Sequence, residues 1–571
     1  MLDADMVPAL TISRSLSRRG CIVDTASSVA RPITGYSNSI ESVFLYPDPL
    51  SAEDDFLQWL VRHTKELDYD LVIPVTERSL VPISSHRDLF GHVRIAMSSA
   101  ASLELVLDKE QTMALAERVG VPVPGGVTVS SREELIGHLL AVSYPVVLKP
   151  TRSIGTKDGG SSQLKVSYAF DEIGLLAGCE HALKFGPVLL QEYFRGKGVG
   201  IELIAQQGKV AYAFQHLRLH EVPLTGGGSS LRKSEPIEPL LLEASERLMA
   251  ALEWNGVAMV EFKWEPGTKR FSLMEINGRF WGSLPLADAA GADFPSMLLD
   301  LELNGEITPC KPYKPHVYCR KLSSDLYWYE AVVRRGPETK IADIPNGWAI
   351  FRELGLFLSP RHRFDVQRLR DPMPGLVDIG DIITSYYHRV PALIGEKFFL
   401  WRQKRAWRRG DVARAIAGAN NILFMCYGNI NRSALADVLL GSYAEDSGLS
   451  VVSAGFHQEV GRPADPVMVG VAAEHGIELN ASRSTIVTSE LLRDSDVIFA
   501  MEKSHVDTLL EMDGTIADKI WLLGAHGGRS GYGPEIDDPY GRSRDSYEFC
   551  YRRIAEAVDH LKSVLAYRRS E

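Results

Sequence analysis

One short stretch around residue 426 constrains the fold more than any other, because an apolar run, a polar turn and a helix follow one another directly. Residues 422–425 (Ile-Leu-Phe-Met) predict a buried strand, and residues 433–440 (Ser-Ala-Leu-Ala-Asp-Val-Leu-Leu) predict a helix. The turn between them contains Cys426, a glycine, two asparagines and Arg432. Such a junction directs backbone N–H groups and a helix N-terminus at one point, where they stabilise a phosphate or a thiolate. Arg432 can hold two phosphoryl oxygens with its planar guanidinium.

The spacing Cys-x-Gly-Asn-x-x-Arg-Ser in this context resembles the low-molecular-weight protein tyrosine phosphatases, and the resemblance covers residues 420–571. It implies a C-terminal doubly wound α/β domain with a parallel sheet. It also implies that Cys426 is the nucleophile, which forms a thiophosphate intermediate, and that Arg432 binds the phosphoryl group. Ser433 would hydrogen-bond the thiolate, and Asn429 would brace the loop. An enzyme of this kind needs no cofactor.

The general acid of such an enzyme comes from a loop near the C-terminus. The resemblance assigns this role to Asp538, which would protonate the leaving oxygen and then activate water against the thiophosphate. Asp537 is the competing carboxylate, and only the spacing to Pro539 favours Asp538. Tyr427 and Tyr540 would flank the pocket and stack on an aryl group. Phosphotyrosine in a protein is therefore the implied substrate, and a small phosphomonoester is the alternative.

Length and composition limit what the rest of the chain can be. A chain of 571 residues is long enough for three or four domains of about 150 residues each. A net charge of −11 argues against nucleic acid as a partner. The six cysteines show no Cys-x-x-Cys spacing, which predicts a reducing cytoplasm and no zinc site. No apolar run reaches the ~18 residues of a membrane span, which predicts that the chain has no transmembrane segment.

The first 105 residues alternate short apolar runs with amphipathic helices, which predicts a small Rossmann-like α/β domain. This region contains no Gly-x-Gly-x-x-Gly loop, so it predicts no dinucleotide site. Residues 1–3 resemble only the tail of a first strand. Either the sheet lacks a full strand at this point, or the chain as written omits one.

Polar residues interrupt two later strands that are otherwise apolar. Glu261 lies in the run Met-Val-Glu-Phe-Lys, and Glu275 and Asn277 lie in the run Phe-Ser-Leu-Met-Glu-Ile-Asn. Buried carboxylates need a partner, and a hard divalent cation is an economical one. Another predicted strand ends with Lys149 and a proline, and the glycine- and serine-rich residues 151–162 that follow predict a flexible lid able to wrap phosphates.

Taken together, residues 1–310 resemble an ATP-grasp enzyme, in particular the carbamoyl-phosphate-synthetase-like branch. The resemblance implies a Rossmann-like pre-ATP-grasp domain at residues 1–105 and an ATP-grasp α+β domain at residues 106–310. Such an enzyme binds ATP with Mg²⁺, and Mn²⁺ is the alternative ion. The residues assigned to the nucleotide hold its phosphates or contact the adenine: Lys109, Lys149, Gln191 and Glu192. The residues assigned to the metal supply oxygen ligands: Glu261, Glu275 and Asn277. Arg279 would steady the transferred phosphate or acyl phosphate.

The segment around residues 215–230 has two interpretations. A basic strand runs there into a glycine-rich loop. In the first interpretation the loop closes over the acceptor substrate, and Arg218 and Ser229 bind its carboxylate. In the second it is an ordinary hairpin.

Residues 311–419 match no motif and predict a helical extension and linker. Within them, residues 401–409 interleave two tryptophans with arginine and lysine. We interpret this run as a solvated helix that joins the two catalytic bodies. An anionic membrane or a phosphorylated partner is the alternative.

These features predict a bifunctional cytoplasmic enzyme. In the N-terminal body ATP would phosphorylate a substrate carboxylate, and an amine or other nucleophile would displace the acyl phosphate. The C-terminal body, residues 420–571, would hydrolyse a phosphomonoester. One alternative is a phosphatase regulated by a non-catalytic ATP-binding module, and another is a biosynthetic enzyme whose phosphatase domain dephosphorylates a small metabolite. The sequence leaves the substrates open, and it is compatible with a homo-oligomer.

Overall fold

The computed structural model of the protein describes residues 1–139, 142–157, 160–170, 172–308, 311–334, 344–444, 448–526, 533–542 and 544–568. The chain forms two compact units, Met1–Thr384 and Ser385–Glu571. Part of the predicted lid, residues 158–159, lies outside the described residues. No helix in the segments given above is both long and apolar enough to cross a lipid bilayer.

The first unit contains twelve complete helices and seventeen strands within its described residues. Its helices are α1 (Val7–Arg18), α2 (Glu53–Leu67), α3 (Glu77–Ser85), α4 (Ala100–Leu107), α5 (Lys109–Arg118), α6 (Arg132–His138), α7 (Glu172–Ala182), α8 (Pro239–Ala251), α9 (Leu284–Ala290), α10 (Phe294–Asn304), α11 (Leu322–Arg334) and α12 (Gly347–Leu354). Its strands are β1 (Thr25–Ser27), β2 (Val43–Leu45), β3 (Leu71–Val72), β4 (Arg94–Ile95), β5 (Gly126–Val129), β6 (Val146–Pro150), β7 (Ile154–Lys157), β8 (Gly160–Gln163), β9 (Ser167–Ala169), β10 (Val188–Glu192), β11 (Lys197–Gln206), β12 (Lys209–Val222), β13 (Gly228–Glu235), β14 (Gly256–Glu265), β15 (Arg270–Asn277), β16 (Tyr318–Arg320) and β17 (His362–Phe364).

The short N-terminal strands form parallel pairs, β1 with β2 and β3 with β4. The first residues of the chain lie between these pairs. The N–H of Leu2 donates to the carbonyl of Ile73 at 3.1 Å, and the N–H of Ala26 donates to the carbonyl of Met1 at 2.8 Å. This part of the unit is an α/β fold of the predicted Rossmann-like class.

A seven-stranded sheet dominates the first unit, in the order β15-β14-β11-β12-β13-β16-β17. Its pairs are antiparallel except for β16–β17, which is parallel. One face packs apolar side chains, such as Leu203 of β11 and Val260 of β14, against Leu248 of α8. Since side chains alternate along a strand, Glu261 and Lys263 of β14 lie on the opposite face. A smaller antiparallel sheet has the order β5-β10-β6-β9.

The segment predicted as a helical extension contributes to this sheet, because it contains β16 and β17 together with α11 and α12. Helix α13 (Pro372–Arg408) then begins in the first unit and ends in the second. The division into four domains at residues 1–105, 106–310, 311–419 and 420–571 remains a proposal.

The second unit is built around an all-parallel sheet, as the sequence predicts. Its strands are β18 (Asn421–Cys426), β19 (Ser450–Gly455), β20 (Val497–Ala500) and β21 (Ile520–Leu522), in the order β19-β18-β20-β21. Its further helices are α14 (Asp411–Ala417), α15 (Arg432–Ala444), α16 (Pro466–Glu474), α17 (Ser489–Asp494), α18 (Lys503–Met512) and α19 (Arg544–Arg568). The apolar run from Ile422 to Met425 is fully buried, as expected for a central strand covered on both faces. Because the strands are parallel, their carboxyl ends meet at one edge of the sheet.

The end of α13 is fastened to the edge strand β21. The indole Nε1 of Trp407 donates to the carbonyl of Leu522 at 3.0 Å. The side-chain amide of Gln403 accepts from the N–H of Leu522 at 3.0 Å and donates to the carbonyl of Ile520 at 3.4 Å. Trp401, on the other side of the helix, is 51% exposed. The two tryptophans that look equivalent in the sequence therefore have different environments.

We predict that replacing Trp407 by alanine lowers the stability of the second unit, whereas the same change at Trp401 leaves it nearly unchanged. Removal of a buried aromatic side chain costs about 3–5 kcal/mol, and a surface substitution changes stability by about 0.5 kcal/mol or less. Native-state hydrogen exchange of the β21 amides measures the difference. Equal acceleration of exchange in the two variants would contradict the docking of α13 through Trp407.

Candidate active sites

The loop between β18 and α15 surrounds the sulfur of Cys426. Asn429 turns the chain back toward the strand with a left-handed backbone conformation (φ 50°), which asparagine adopts more readily than most residues. Gly455, at the end of β19, leaves room for this turn. A Cβ at position 455 would lie 2.7 Å from the carbonyl oxygen of Tyr427 and 3.0 Å from the backbone nitrogen of Asn429. The loop conformation therefore depends on the residue types at two neighbouring strand ends.

Two groups hydrogen-bond the buried sulfur. The N–H of Asn429 donates to Cys426 Sγ at 3.2 Å, and Ser433 Oγ lies 2.9 Å from the same sulfur. Asn429 Nδ2 donates to Ser433 Oγ at 2.9 Å, while Asn429 Oδ1 accepts from the N–H of Thr485 at 2.7 Å. Because the hydroxyl oxygen of Ser433 already accepts a hydrogen bond, its proton is free to point at the sulfur. Both donors therefore stabilise a thiolate at Cys426.

Arg432 opens helix α15 and is buried, so its charge needs partners. Its Nη2 donates to Asp538 Oδ2 at 2.6 Å, and its Nη1 donates to the carbonyl of Ile536 at 2.9 Å and to the carboxylate of Glu502. Burial disfavours the charged guanidinium, but the nearby Cys426, Asp538 and Glu502 outweigh it and raise the pKa of Arg432. The cation thus lies beside the sulfur, and five predicted residues meet here: Cys426, Asn429, Arg432, Ser433 and Asp538.

The competing carboxylates Asp537 and Asp538 are in different environments. Asp538 reaches Arg432, while Asp537 forms no ion pair with any residue that the structure describes. Both line a cavity of about 200 Å³, together with the buried thiol of Cys550. Burial raises the pKa of Cys550 to about 12, so this second thiol stays protonated at neutral pH.

Sequence reasoning missed two residues of this site. Glu502 comes one residue after the end of β20, beyond Met501, and pairs with Arg432. Its signal in the sequence is that it is the first polar side chain after the apolar run 497–501, at the same sheet edge as Cys426. His505 is buried one helical turn further on. Burial and the nearby charge of Arg432 lower the pKa of His505 to about 4, so the ring is neutral at physiological pH.

The first unit brings the predicted metal ligands together on the polar face of the seven-stranded sheet. Glu261 of β14 and Glu275 of β15 are directly opposite each other, and Asn277 Nδ2 donates to Glu275 Oε1 at 3.2 Å. Arg218 of β12 pairs with Glu261 at 2.5 Å. Burial raises the pKa of Glu261 to about 7 despite this guanidinium. Arg218 therefore compensates the charge of Glu261 only in part.

The two predicted phosphate-binding lysines lie at this carboxylate pair. Burial lowers the pKa of Lys149 to about 8, and Glu275 partly opposes this effect. Burial disfavours the charge of Glu275 in turn, but Lys109 and Lys149 outweigh it, so the pKa of Glu275 is lowered. Lys149 Nζ donates to the carbonyl of Met274 at 3.3 Å, and Lys109 Nζ donates to Ser153 Oγ at 3.2 Å. Both amines are available for an anion near Glu275.

The remaining predicted residues of the first unit are Arg279, Gln191 and Glu192, and none of them hydrogen-bonds to the carboxylate pair within the described residues. Arg279 donates to Glu77 Oε1 at 3.1 Å and to the carbonyl of Phe280 at 2.9 Å. Gln191 is buried near the end of β10, and Glu192 follows it as an exposed strand end.

The donor set fits Mg²⁺ bound together with a nucleotide. It offers two carboxylates and one amide, all oxygen donors of the kind that Mg²⁺ prefers. Across the described segments, no group of three or more His, Cys, Asp or Glu side chains could hold a metal ion alone. The residues would therefore supply part of the coordination and leave the rest to phosphate oxygens and water, as is usual for Mg²⁺.

The segment around residues 215–230 is a hairpin of β12 and β13, and it borders a cavity of about 480 Å³. Arg218 lies in the wall of this cavity, where its Nη1 is 3.4 Å from Glu221. Lys263 pairs with the same glutamate at 3.1 Å. The segment is therefore a hairpin, as in the second interpretation. Arg218 lines the cavity and Ser229 does not, so binding of an acceptor carboxylate by these two residues stays a prediction.

Two parts of the chain match known families. Residues 421–570 match the family described as low molecular weight phosphotyrosine protein phosphatase, and residues 184–323 match the family described as ATP-grasp in the biosynthetic pathway with Ter operon. The low molecular weight protein-tyrosine-phosphatase Wzb of Escherichia coli (strain K12) is 39% identical over 139 residues, which are 24% of this chain and 90% of that protein. The crystal structure of the Erwinia amylovora tyrosine phosphatase AmsI shows 36% identity and a TM-score of 0.24, and covers 26% of this chain and 93% of that one. The biotin carboxylase of Campylobacter jejuni shows 14% identity and a TM-score of 0.45, and covers 56% of this chain and 73% of that one.

We predict that Gly455→Ala slows alkylation of Cys426 by iodoacetate at neutral pH by about tenfold or more. The added Cβ displaces the turn at Asn429 and so removes its N–H from the sulfur, and a hydrogen bond to a charged group contributes about 1.5–3 kcal/mol. The matched control is Gly470→Ala on α16, where a Cβ would meet no atom within 4 Å. If both variants react at the rate of the unchanged protein, the loop does not hold the thiolate in the way described.

Proposed function

Since the chain belongs to the low molecular weight phosphotyrosine protein phosphatases through its residues 421–570, we propose that its C-terminal unit hydrolyses phosphotyrosine by way of a thiophosphate on Cys426. The enzyme as a whole joins this phosphatase to an ATP-grasp domain. One observation carries the proposal: the sulfur of Cys426 has two hydrogen-bond donors and lies beside Arg432, which is paired with Asp538.

In the first step the thiolate of Cys426 attacks phosphorus and the bond from phosphorus to the leaving oxygen breaks. Asp538 takes up a proton once the phosphoryl group displaces it from Arg432, and it gives this proton to the leaving oxygen, so the product departs as a neutral alcohol or phenol. Arg432 holds two phosphoryl oxygens, which replace part of its contact with Asp538 and Glu502. Ser433 and the N–H of the loop stabilise the sulfur before the attack.

In the second step water attacks phosphorus and the bond from phosphorus to sulfur breaks. Asp538, now a carboxylate, takes a proton from the attacking water. Inorganic phosphate leaves, and Cys426 returns to the thiolate form that Ser433 stabilises. One carboxylate therefore acts as acid and then as base, and no metal ion is needed for either step.

The rim of the site favours an aryl phosphate. Tyr427 is 57% exposed and Tyr540 is 64% exposed, and they lie at the two loops that carry Cys426 and Asp538. Exposed aromatic rings at the mouth can stack on the ring of phosphotyrosine. A small aliphatic phosphomonoester would gain nothing from these rings, and it remains the second choice of substrate.

We predict that Asp538→Asn lowers kcat by about 10²–10⁴-fold, the range for loss of a general acid–base group. The loss is larger with phenyl phosphate than with p-nitrophenyl phosphate, because the poorer leaving group depends more on protonation. Asp537→Asn is the matched control and retains its activity, since Asp537 has no described contact with Arg432. Equal losses in the two variants, or the same loss with both substrates, would remove Asp538 from the role of acid.

The carboxylate pair of the first unit favours a second activity, a ligase that joins a carboxylate to an amine or another nucleophile through an acyl phosphate. Lys109 and Lys149 would hold the ATP phosphates, Gln191 and Glu192 would contact the adenine, and Arg279 would steady the transferred phosphate. Glu261, Glu275 and Asn277 would hold Mg²⁺. When bound, the ion supplies positive charge to the phosphates. Lys149 and Asn277 are buried, so both side chains are held in place before a ligand binds.

We predict that Glu275→Gln weakens Mg-ATP binding by on the order of tenfold or more, as expected for a disturbed ligand shell, and leaves p-nitrophenyl phosphate hydrolysis unchanged. The matched control is Glu243→Gln, an exposed carboxylate on α8. The ATP concentration needed for half-maximal ADP release in the presence of an added amine measures the first effect. The rate of p-nitrophenyl phosphate hydrolysis measures the second. An unchanged Glu275→Gln variant would show that the metal ligands are elsewhere, and ATP binding without ADP release would favour a non-catalytic module that regulates the phosphatase.

A further inference from the structure

The end of helix α13 presents an exposed surface with an unusual composition. The residues of this surface, called here the Trp401 face, are two aromatic side chains and four arginines that are all exposed: Phe398, Trp401, Arg402, Arg405, Arg408 and Arg409. Neither the phosphatase chemistry nor the nucleotide site uses them. The opposite side of the helix is buried against the second unit through Gln403 and Trp407. The part of α13 that carries the Trp401 face is therefore packed against the second unit.

The aromatic side chains of this face are turned outward. Phe398 is 58% exposed and Trp401 is 51% exposed. Their rings stack on each other with centroids 5.7 Å apart, and the guanidinium of Arg405 lies 4.9 Å from the centre of the Trp401 ring. Residues 398, 401 and 405 follow the spacing of one helix face, so apolar rings and a cation share one surface. A contiguous exposed apolar patch with a polar rim is typical of an interaction surface.

The arginines of the face lack acidic partners. The sequence contains no Asp or Glu from Lys397 to Gly410, although the whole chain has a net charge of −11. Arg402, Arg405, Arg408 and Arg409 form no ion pair with any of the described residues. A positive surface is therefore concentrated on one helix of an acidic protein.

We propose that the Trp401 face docks the protein on an anionic lipid surface. A helix that lies in the plane of a membrane presents aromatic side chains to the acyl boundary and arginines to the lipid phosphates, and tryptophan favours this interface. A second copy of the chain is a poorer partner, because the same face on another molecule would set arginines against arginines. An acidic peptide would pair with the arginines but would leave the stacked rings without an apolar environment. Because α13 is fastened to β21, docking would hold the phosphatase unit in one orientation at the membrane.

The test is co-sedimentation of the full chain with lipid vesicles. The protein is expected to sediment with vesicles of mixed phosphatidylcholine and phosphatidylglycerol, to stay in solution with pure phosphatidylcholine, and to be released by high salt. Arg402→Gln with Arg405→Gln should weaken binding on the order of twentyfold, since each cation near an anionic surface contributes about fivefold. Phe398→Ser with Trp401→Ser should weaken it on the order of tenfold or more.

A matched control is available on helix α12. Trp348 and Phe351 are also exposed and stacked, with centroids 5.8 Å apart, but they lack the arginine cluster. Trp348→Ser with Phe351→Ser should leave vesicle binding unchanged. All three double variants should keep their far-UV circular dichroism and the reactivity of Cys426, which shows that each has folded.

Three results would overturn the proposal. The first is that the unchanged protein does not sediment with anionic vesicles, which would make the Trp401 face an ordinary solvated helix surface. The second is an equal loss of vesicle binding in the α12 control variant, which would point to nonspecific adsorption of exposed aromatic rings. The third is binding of an acidic phosphotyrosine peptide through the Trp401 face without vesicle binding, which would make it a docking site for substrate proteins.

Discussion

The buried guanidinium of Arg432 is the charge on which the phosphatase site depends. A cation in this position is stable only because carboxylates of Asp538 and Glu502 and the sulfur of Cys426 surround it. The same arrangement prepares the site for a substrate, since a phosphoryl dianion can take over contacts that the carboxylates make in the free protein. The parallel sheet makes this possible, because it brings the ends of β18, β19 and β20 to one edge. The fold thus supplies the charges and the substrate rearranges them.

The carboxylate pair of the first unit, which we propose as part of a nucleotide site, has more buried negative charge than Arg218 alone compensates. There the carboxylates of Glu261 and Glu275 face each other on adjacent strands, and Arg218 reaches only one of them. The pKa of Glu261 is raised to about 7, and the pKa of Lys149 is lowered to about 8, in both cases chiefly by burial. Groups held this far from their usual protonation behaviour are typical of functional sites. A metal ion and a triphosphate together would neutralise both sides of this arrangement.

How much of this could be predicted depended on how far apart the interacting residues are in the sequence. The Cys426 loop is local, so its strand, turn and helix follow from spacing alone, while Asp538 needed the resemblance to a family. Glu502 was missed because its contact with Arg432 joins residues 70 positions apart, and no local pattern reports such a pair. The pairing of Arg218 with Glu261 was missed for the same reason. Docking of α13 through one tryptophan depends on which side of the helix meets β21, and composition does not contain that information.

The central claim is that Cys426 carries the phosphoryl group during turnover, and acid-free rapid quenching with a ³²P-labelled phosphotyrosine peptide tests it most directly. Label should appear on the protein within one turnover, should map to the peptide that contains Cys426, and should disappear when that residue is replaced by serine. With ³²P-labelled p-nitrophenyl phosphate, whose good leaving group depends little on protonation, Asp538→Asn should make the labelled species persist, since water then lacks its base. Phosphate release without labelled protein in a variant that traps the intermediate, or label at any other residue, would contradict the account.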